Sequence, residues 1–207
     1  MDEGDFSMGM QRTAGSMLIF GSILFFIAAF SPIAQVFSEP DAAKKLEILL
    51  NGRIDWSVDQ IFFALGALVT AVGLYLTVNQ LRNIPGSGWA FLGVAAVGIG
   101  AILWSWDVYL RGIDPQAFVQ GTLPAWPFIA YTVLTQAGLA AVGSGLIRST
   151  LPHWIGWVLI GGSLLFFVVY LLFKDMPPFA YYVLTLPAGI MMVIRKAPKY
   201  VQIVTSQ

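Results

Sequence analysis

Cysteine is absent from this sequence, and histidine occurs once. The lack of cysteine excludes disulfides, thiolate metal sites, iron–sulfur clusters and cysteine nucleophiles, and it gives no information on the redox compartment. A zinc site normally requires several strong protein ligands, and no acidic residue lies near His153 in the sequence. We therefore expect His153 to be an interfacial residue, and we expect neither a metal nor another cofactor.

Charged residues are also scarce. They make up 11% of the 207 residues, against 57% for hydrophobic ones, whereas about 25% is usual in a soluble domain. Most of the surface should therefore face something other than water. The net charge is zero and no basic run of five or more residues occurs, which gives nucleic-acid binding no support. The length suits a single domain, residues 1–207.

Motifs of enzymes are missing as well. The sequence shows no nucleophile–base pair, no glycine-rich phosphate loop and no cluster of metal ligands, which are the features by which an active site is recognised. No lysine falls inside an apolar segment, so a Schiff-base chromophore is excluded. We predict that the protein is not an enzyme.

Long apolar runs are what the sequence does contain. A membrane-spanning helix needs roughly 20 mostly apolar residues, and the last candidate is short and contains Pro187, which favours a kink. Short connections between the runs favour an antiparallel bundle. The prediction is an all-α polytopic membrane protein with about six transmembrane helices, at Thr13–Phe37, Trp56–Leu81, Gly88–Leu110, Ala125–Ile147, Trp154–Phe173 and Phe179–Ile194.

Two connections are longer than the others, and both belong to the same side of the predicted bundle. Within the first, Pro40–Asn51 has the composition of a short amphipathic helix, with Asp41 near its positive end and Gly52 able to cap it. The second, Arg111–Pro124, contains glycines and prolines and is expected to be an irregular loop.

Orientation follows from the basic residues that flank the spans. The side opposite the two long connections has six, Arg12, Arg82, Arg148, Arg195, Lys196 and Lys199. The other side has five, Lys44, Lys45, Arg53, Arg111 and Lys174. Because basic residues are retained in the cytoplasm, we predict a multi-pass inner-membrane protein with both termini cytoplasmic.

Small residues four positions apart recur in the second, third and fourth predicted spans, for example Gly66 with Thr70. Such pairs let helix backbones approach closely in lipid. A weak repeat also relates the hairpin of spans two and three to that of spans four and five. It indicates either parallel copies, as in some transporters, or chance similarity between membrane hairpins.

Two acidic residues come closest to the hydrocarbon, and a carboxylate inside a span is a functional candidate because burying its charge is costly. Asp59 could instead serve the dipole at the start of its helix, and Asp107 could pair with Arg111 four residues later. The functional alternative is that Asp59, Asp107 and Arg111 form one polar cluster at the outer ends of two neighbouring helices.

Aromatic residues are dense in the outer half of the predicted bundle, with Trp104, Trp106 and Tyr131 among them. If several point inward, they line a lipophilic pocket beneath the long outer segments. The alternative is a belt that faces lipid, where tryptophan and tyrosine are common. Gln136 near the middle of its span either joins two helices by hydrogen bonds or lines the same cavity.

One stretch has a familiar pattern. Gly145–Trp157 reads GLIRSTLPHWIGW and is followed by Gly161 and Gly162. It resembles a recurrent turn in uncharacterised prokaryotic six-helix integral membrane proteins, which are grouped as domains of unknown function. The resemblance implies a six-helix fold in a bacterial or archaeal inner membrane, and it implies no catalytic or binding residues.

Two hypotheses for function follow. In the first, the protein binds, or carries, a small lipophilic or amphipathic ligand in an outer-leaflet cavity formed by Asp59, Trp104, Trp106, Asp107, Arg111, Tyr131 and Gln136. In the second, it is an accessory subunit of a larger membrane complex or a homo-oligomer, whose small-residue and aromatic faces bind protein partners. The bilayer itself is a partner in both.

Overall fold

The structure, a computed structural model, describes residues 3–82, 87–149, 151–173 and 177–194, with side chains from residue 9 onward. Within these ranges all regular secondary structure is helical, which confirms the predicted all-α class. The α-helices are α1 (Glu3–Ala29), α2 (Ala42–Asn51), α3 (Arg53–Asn79), α4 (Gly88–Ile113), α5 (Pro115–Gln120), α6 (Trp126–Leu146), α7 (His153–Phe173) and α8 (Ala180–Ile194). A 3-10 helix covers Pro32–Phe37.

Five of these helices are long and apolar enough to cross a membrane, namely α1 from Gly9 onward, α3, α4, α6 and α7. The sixth predicted span corresponds to α8, which is apolar but has 15 residues. At 1.5 Å per residue it is about 22 Å long, shorter than the hydrocarbon core of about 30 Å. The chain is therefore a polytopic membrane protein, and its described residues contain five helices of spanning length and one shorter apolar helix.

The first span ends earlier than predicted. The expected helix ran to Phe37, whereas α1 ends at Ala29 and a separate 3-10 helix begins at Pro32. Proline has no amide hydrogen to donate and disfavours helical geometry in the residue before it. Ser31 accordingly adopts an extended conformation, with φ −66° and ψ 158°. After the break, Ile33 and Val36 pack against Leu49 and Trp56.

The predicted amphipathic helix of the first outer connection is confirmed as α2. Its N-cap is Asp41, whose carboxylate accepts hydrogen bonds from the amides of Ala43 and Lys44. Gly52 ends it and donates its amide to the carbonyl of Ile48. Asp41 and Gly52, the residues predicted to mark the two ends, thus form hydrogen bonds with the backbone there.

The second outer connection was predicted to be an irregular loop, and this prediction is wrong. It forms the short helix α5, whose N-cap Asp114 accepts from the amide of Ala117 at 2.8 Å. Pro115 occupies the first turn, where its missing donor costs nothing. Gly121 ends the helix with φ 65°, a left-handed conformation that glycine adopts easily. Helices α2 and α5 contact each other, so they cover the same end of the bundle.

The five helices of spanning length and α8 form a closed ring. Around it, α1 packs on α3, α3 on α4, α4 on α6, α6 on α7, α7 on α8, and α8 on α1. Side chains of α3, α4, α6 and α8 fill the centre. One end of the ring is covered by the 3-10 helix, α2 and α5, which share a small apolar core around Val36, Leu49 and Trp56.

Reciprocal glycine contacts bring the helices together at four of these interfaces. At each, a Cβ placed on either glycine would lie 2.6–2.9 Å from the carbonyl oxygen of the other. Such an approach excludes any side chain at these positions and gives backbone-to-backbone packing in lipid. The pairs are Gly21 with Gly66, Gly15 with Gly189, Gly93 with Gly138, and Gly143 with Gly156.

The α1–α3 and α4–α6 interfaces use equivalent positions. Each contact residue of the first stands 72 positions before its counterpart in the second. Gly21 contacts Gly66 as Gly93 contacts Gly138. Leu18 contacts Gly73 as Ala90 contacts Gly145, and Phe25 contacts Gly66 as Val97 contacts Gly138. In both units an outer helix, α2 or α5, follows the first span. This repeat relates the pair of spans one and two to the pair of spans three and four. The sequence had predicted a different grouping, of spans two and three with spans four and five.

Several predicted features lie outside the described residues. They are most of the turn between α3 and α4, Thr150 in the turn before α7, Lys174, and the basic residues Arg195, Lys196 and Lys199 near the C-terminus. Of the basic residues predicted to be cytoplasmic, Arg12, Arg82 and Arg148 are described, and each is exposed.

Candidate functional site

A cavity of about 430 Å³ lies beneath the 3-10 helix, at the end of the ring covered by the outer segments. Small-molecule sites in proteins usually measure about 300–1,000 Å³. Aromatic rings and small apolar side chains form most of its wall. The lining residues are Phe25, Ala29, Ala34, Phe37, Ser38, Phe63, Trp104, Arg111, Phe128, Pro177, Pro178 and Phe179.

The cover of the cavity is a cluster of three rings contributed by separate elements. Phe118 of α5 stacks on Trp56 of α3 with 5.4 Å between ring centroids, and Phe37 lies 5.8 Å from Trp56 and 6.1 Å from Phe118. The indole N–H of Trp56 donates to the carbonyl of Arg111 at 3.0 Å. Trp56 is fully buried and joins α3 to the end of α4.

Arg111 and Asp107 form an ion pair at the cavity wall, as the spacing of four residues predicted. A guanidinium nitrogen lies 2.6 Å from the carboxylate. The guanidinium carbon also lies 5.4 Å from the ring centre of Trp104, 5.3 Å from that of Phe118 and 5.8 Å from that of Phe128. Cations are attracted to aromatic faces at such distances. The positive group is thus held by one acid and three rings, with Arg111 on the cavity side.

Trp104 forms part of the inner wall. Its ring lies 4.8 Å from that of Tyr131 and 5.9 Å from those of Phe25 and Phe63. The residue is 2% exposed, and its indole N–H has no hydrogen-bond partner among the described residues. A buried donor without an acceptor costs free energy.

Asp59 is buried close to the same end of the bundle. It accepts a hydrogen bond from the hydroxyl of Ser31, at the break between α1 and the 3-10 helix. Helix α3 begins at Arg53, so Asp59 lies in the second turn and not in the first turn where a dipole role was expected. Asp59 does not line the cavity, although Phe63 one turn further along does. Its membership of a cluster with Asp107 and Arg111 stays a prediction.

Tyr131 and Gln136 lie below the cavity, in the centre of the ring. The Tyr131 hydroxyl is 3.4 Å from that of Tyr182, whose ring stacks on Phe25 at 3.9 Å. Gln136 is buried and lies beside the hydroxyl of Tyr181. Tyr131 also borders a second, much smaller cavity of about 10 Å³. Neither Tyr131 nor Gln136 lines the aromatic cavity. With Tyr181 and Tyr182 they form a polar layer beneath its wall residues Phe25 and Trp104.

Of the predicted site residues, Trp104 and Arg111 line the cavity, whereas Trp106 lies on the surface of the bundle. It is 50% exposed on the outer face of α4, with its ring 5.7 Å from that of Tyr109. Trp89, Trp126 and Trp157 are exposed in the same way, as expected of rings in the interfacial belts. Trp106 does not line the cavity.

Sequence reasoning missed Phe25, Phe37 and Phe63 as cavity residues. Phenylalanine in an apolar span gives no signal that separates a cavity wall from a lipid-facing surface. A partial signal existed for Phe25, which is four residues after Gly21 and therefore on the face that contacts α3.

The arrangement as a whole offers a cavity lined by aromatic rings, Trp104 among them, with Arg111 as its charged residue. Among the described residues, no three His, Asp or Glu side chains come together as they would around a metal ion. The resemblance to six-helix proteins of unknown function stays a prediction. Comparison with protein-family models, curated proteins and solved structures finds no match for this chain.

Proposed function

We propose that this membrane protein binds a small lipophilic or amphipathic molecule in the cavity beneath its outer segments, without catalysing a reaction. The observation that carries the proposal is the cavity of about 430 Å³ whose wall includes six aromatic rings. Apolar walls with a few convergent polar groups are typical of small-molecule sites.

The construction of the cover supports the same proposal. The 3-10 helix, α2 and α5 bury a small apolar core of their own above the cavity. The 3-10 helix contributes Ala34 and Phe37 to the cavity wall, and Pro178 and Phe179 come from the segment that leads into α8. A cavity lined mostly with aromatic rings favours an apolar occupant.

Filling the cavity tests the proposal. Ala29 lines it, whereas Ala95 lies on the exposed face of α4. We expect Ala29→Phe to lose the lipophilic molecules that copurify with the protein in gentle detergent, as measured by native mass spectrometry. Ala95→Phe should retain them. Loss in both variants or in neither would contradict the proposal, and a copurifying protein instead of a lipid would favour the accessory-subunit hypothesis.

We further propose that the covered end faces outward, with both termini in the cytoplasm of a prokaryotic cell and the bundle in its inner membrane. The excess of basic residues on the opposite side supports this orientation. Because the chain has no cysteine, single substitutions report it directly. Lys44→Cys should react with an impermeant maleimide in intact cells, and Arg82→Cys only after permeabilisation. Reaction of both from outside would overturn the orientation.

A further inference from the structure

Two residues that line the cavity carry hydrogen-bond donors that bear on the chemistry of the ligand, an inference that rests on the proposed function. Arg111 contributes a guanidinium, a group with five N–H donors and no acceptor. Trp104 contributes an indole N–H, which is donor-only as well and has no partner in the described part of the chain. We propose that the cavity binds an amphiphile with an anionic oxygen head group, a carboxylate or a phosphate, and an apolar body.

The orientation of the ion pair supports an anion over a cation. Asp107 is one helical turn before Arg111, its side chain is 4% exposed, and it does not line the cavity. The Arg111 side chain is 16% exposed and does line it. A ligand therefore meets the positive end of the pair, and an ammonium head group would be repelled there.

The remaining polar groups near the cavity do not change the preference for an anion over a cation. Ser38 lines the wall and donates its hydroxyl to the carbonyl of Gln35 at 3.0 Å. Asp59 does not line the cavity, and its carboxylate accepts from Ser31. Among the described lining residues, Arg111 is the one that carries a charge. The rest of the wall is apolar and suits a hydrocarbon or ring.

Oxygen anions fit this pair of donors for a further reason. Guanidinium and carboxylate or phosphate groups match in geometry and form charge-assisted hydrogen bonds. The rings of Trp104, Phe118 and Phe128 around the guanidinium reduce its contact with water. In such surroundings a charge-assisted hydrogen bond contributes about 1.5–3 kcal/mol, which corresponds to roughly tenfold to a hundredfold in affinity.

Three probes with the same 12-carbon chain separate the possibilities: dodecanoate, dodecanol and dodecylammonium. The measurement is the amount of radiolabelled probe that the immobilised full chain retains in uncharged detergent. The Ala29→Phe variant, whose cavity is filled, gives the background value, called the blank. We expect dodecanoate to bind roughly tenfold or more tightly than dodecanol and dodecylammonium to match the blank. Equal or tighter binding of dodecylammonium overturns the proposed head group while leaving the cavity proposal intact. Retention of none of the three above the blank overturns both.

Two variants identify the groups that select the anion. Trp104→Phe keeps a ring and removes the N–H, and Arg111→Gln removes the charge. Each should weaken dodecanoate binding roughly tenfold and lower the preference for dodecanoate over dodecanol. Trp104→Phe carries the test if Arg111→Gln fails to fold. Lys174→Gln is the control, because Lys174 is a basic residue that precedes the cavity residue Pro177 in the sequence. If Lys174→Gln loses the preference for the anion and the other two variants keep it, the assignment of Trp104 and Arg111 as the selecting residues is overturned.

A free carboxylate and a membrane lipid share this chemistry, so a fourth probe separates the two sources. Lysophosphatidylglycerol with a 12-carbon chain has an anionic phosphate within a lipid head group. If it binds with the same dependence on Trp104 and Arg111, the ligand class extends to anionic phospholipids of the outer leaflet. Binding of dodecanoate alone supports the proposal and restricts it to free carboxylates.

Discussion

Gly93 and Gly138 face each other across the α4–α6 interface so closely that a Cβ on either would lie 2.6 Å from the carbonyl oxygen of the other. The same arrangement recurs between Gly21 and Gly66, 72 positions earlier, at the α1–α3 interface. Two pairs of spans are thus held together by backbone contact, and the aromatic cavity forms at one end of the ring that they build.

The first prediction concerns these contacts. Gly138→Ala should lower the free energy of unfolding by about 1–3 kcal/mol, because the added methyl forces two backbones apart. Gly98 on the same bundle has open space where its Cβ would lie. Gly98→Ala should be neutral or stabilising by up to about 1 kcal/mol, since alanine favours the helix.

Thermal unfolding in detergent, followed by circular dichroism, measures both changes. A loss of stability in Gly98→Ala equal to that in Gly138→Ala would contradict the packing argument. It would indicate that any alanine in these spans disturbs the protein, whatever its contacts.

The positions of the spans could be predicted because about 20 apolar residues in a row have one structural meaning in a membrane protein. The pairing of Gly93 with Gly138 could not, because small residues show which face of a helix is close-packed but not which helix lies opposite. The cavity has the same limit. Phe25 and Phe63 come from different spans, and their meeting depends on the ring of helices.

The two outer helices illustrate a different limit. Asp41 and Gly52 mark the ends of α2, and the helix was predicted from them and from its apolar stripe. Asp114, Pro115 and Gly121 give equivalent signals around α5, but that helix has only six residues. A segment so short carries too little periodic pattern to separate a helix from a loop.

The second prediction tests those end signals. Asp114→Ala removes the acceptor for the amide of Ala117, and such a cap contributes about 1 kcal/mol. We expect faster amide hydrogen exchange in residues 115–122, the part of the cover that contains Phe118. Asp41→Ala removes the corresponding cap of α2 and should accelerate exchange in residues 42–51.

Hydrogen exchange with mass spectrometry resolves the two segments, so each variant is the control for the other. If Asp114→Ala also accelerates exchange in the long spans, the outer helices are not independent local units. If it changes nothing, the capping hydrogen bond does not stabilise α5.

The third prediction concerns the ion pair. Removing one partner of a fully buried pair costs about 3–5 kcal/mol, because the other charge is left uncompensated. Arg111 is 16% exposed, so Asp107→Asn should cost less than this and still clearly lower the unfolding temperature. The double variant Asp107→Leu/Arg111→Met places apolar groups of similar size there and should be more stable than Asp107→Asn.

Unfolding temperatures of the wild type, the single variant and the double variant decide the matter. A double variant less stable than Asp107→Asn would show that Arg111 stabilises the fold through contacts other than Asp107, with the surrounding rings as the first candidates.

The last prediction concerns the polar layer beneath the cavity. The hydroxyls of Thr70 and Thr135 are buried without a hydrogen-bond partner among the described residues, and both border the central cavity of about 10 Å³. Thr185 also borders it, but its hydroxyl lies 3.3 Å from that of Ser22. Valine has the shape of threonine without the hydroxyl, and its helix propensity is similar.

Replacing an unpartnered hydroxyl by an apolar group of the same shape is nearly neutral or stabilising. Thr70→Val and Thr135→Val should therefore leave the unfolding temperature unchanged or raise it. Thr185→Val should lower the free energy of unfolding by about 0.6–1 kcal/mol, because it removes the hydroxyl that contacts Ser22 of α1 and donates to the carbonyl of Tyr182. If Thr70→Val and Thr135→Val cost as much as Thr185→Val, their hydroxyls have a partner in the membrane. A single bound water is what a cavity of this size and polarity could hold.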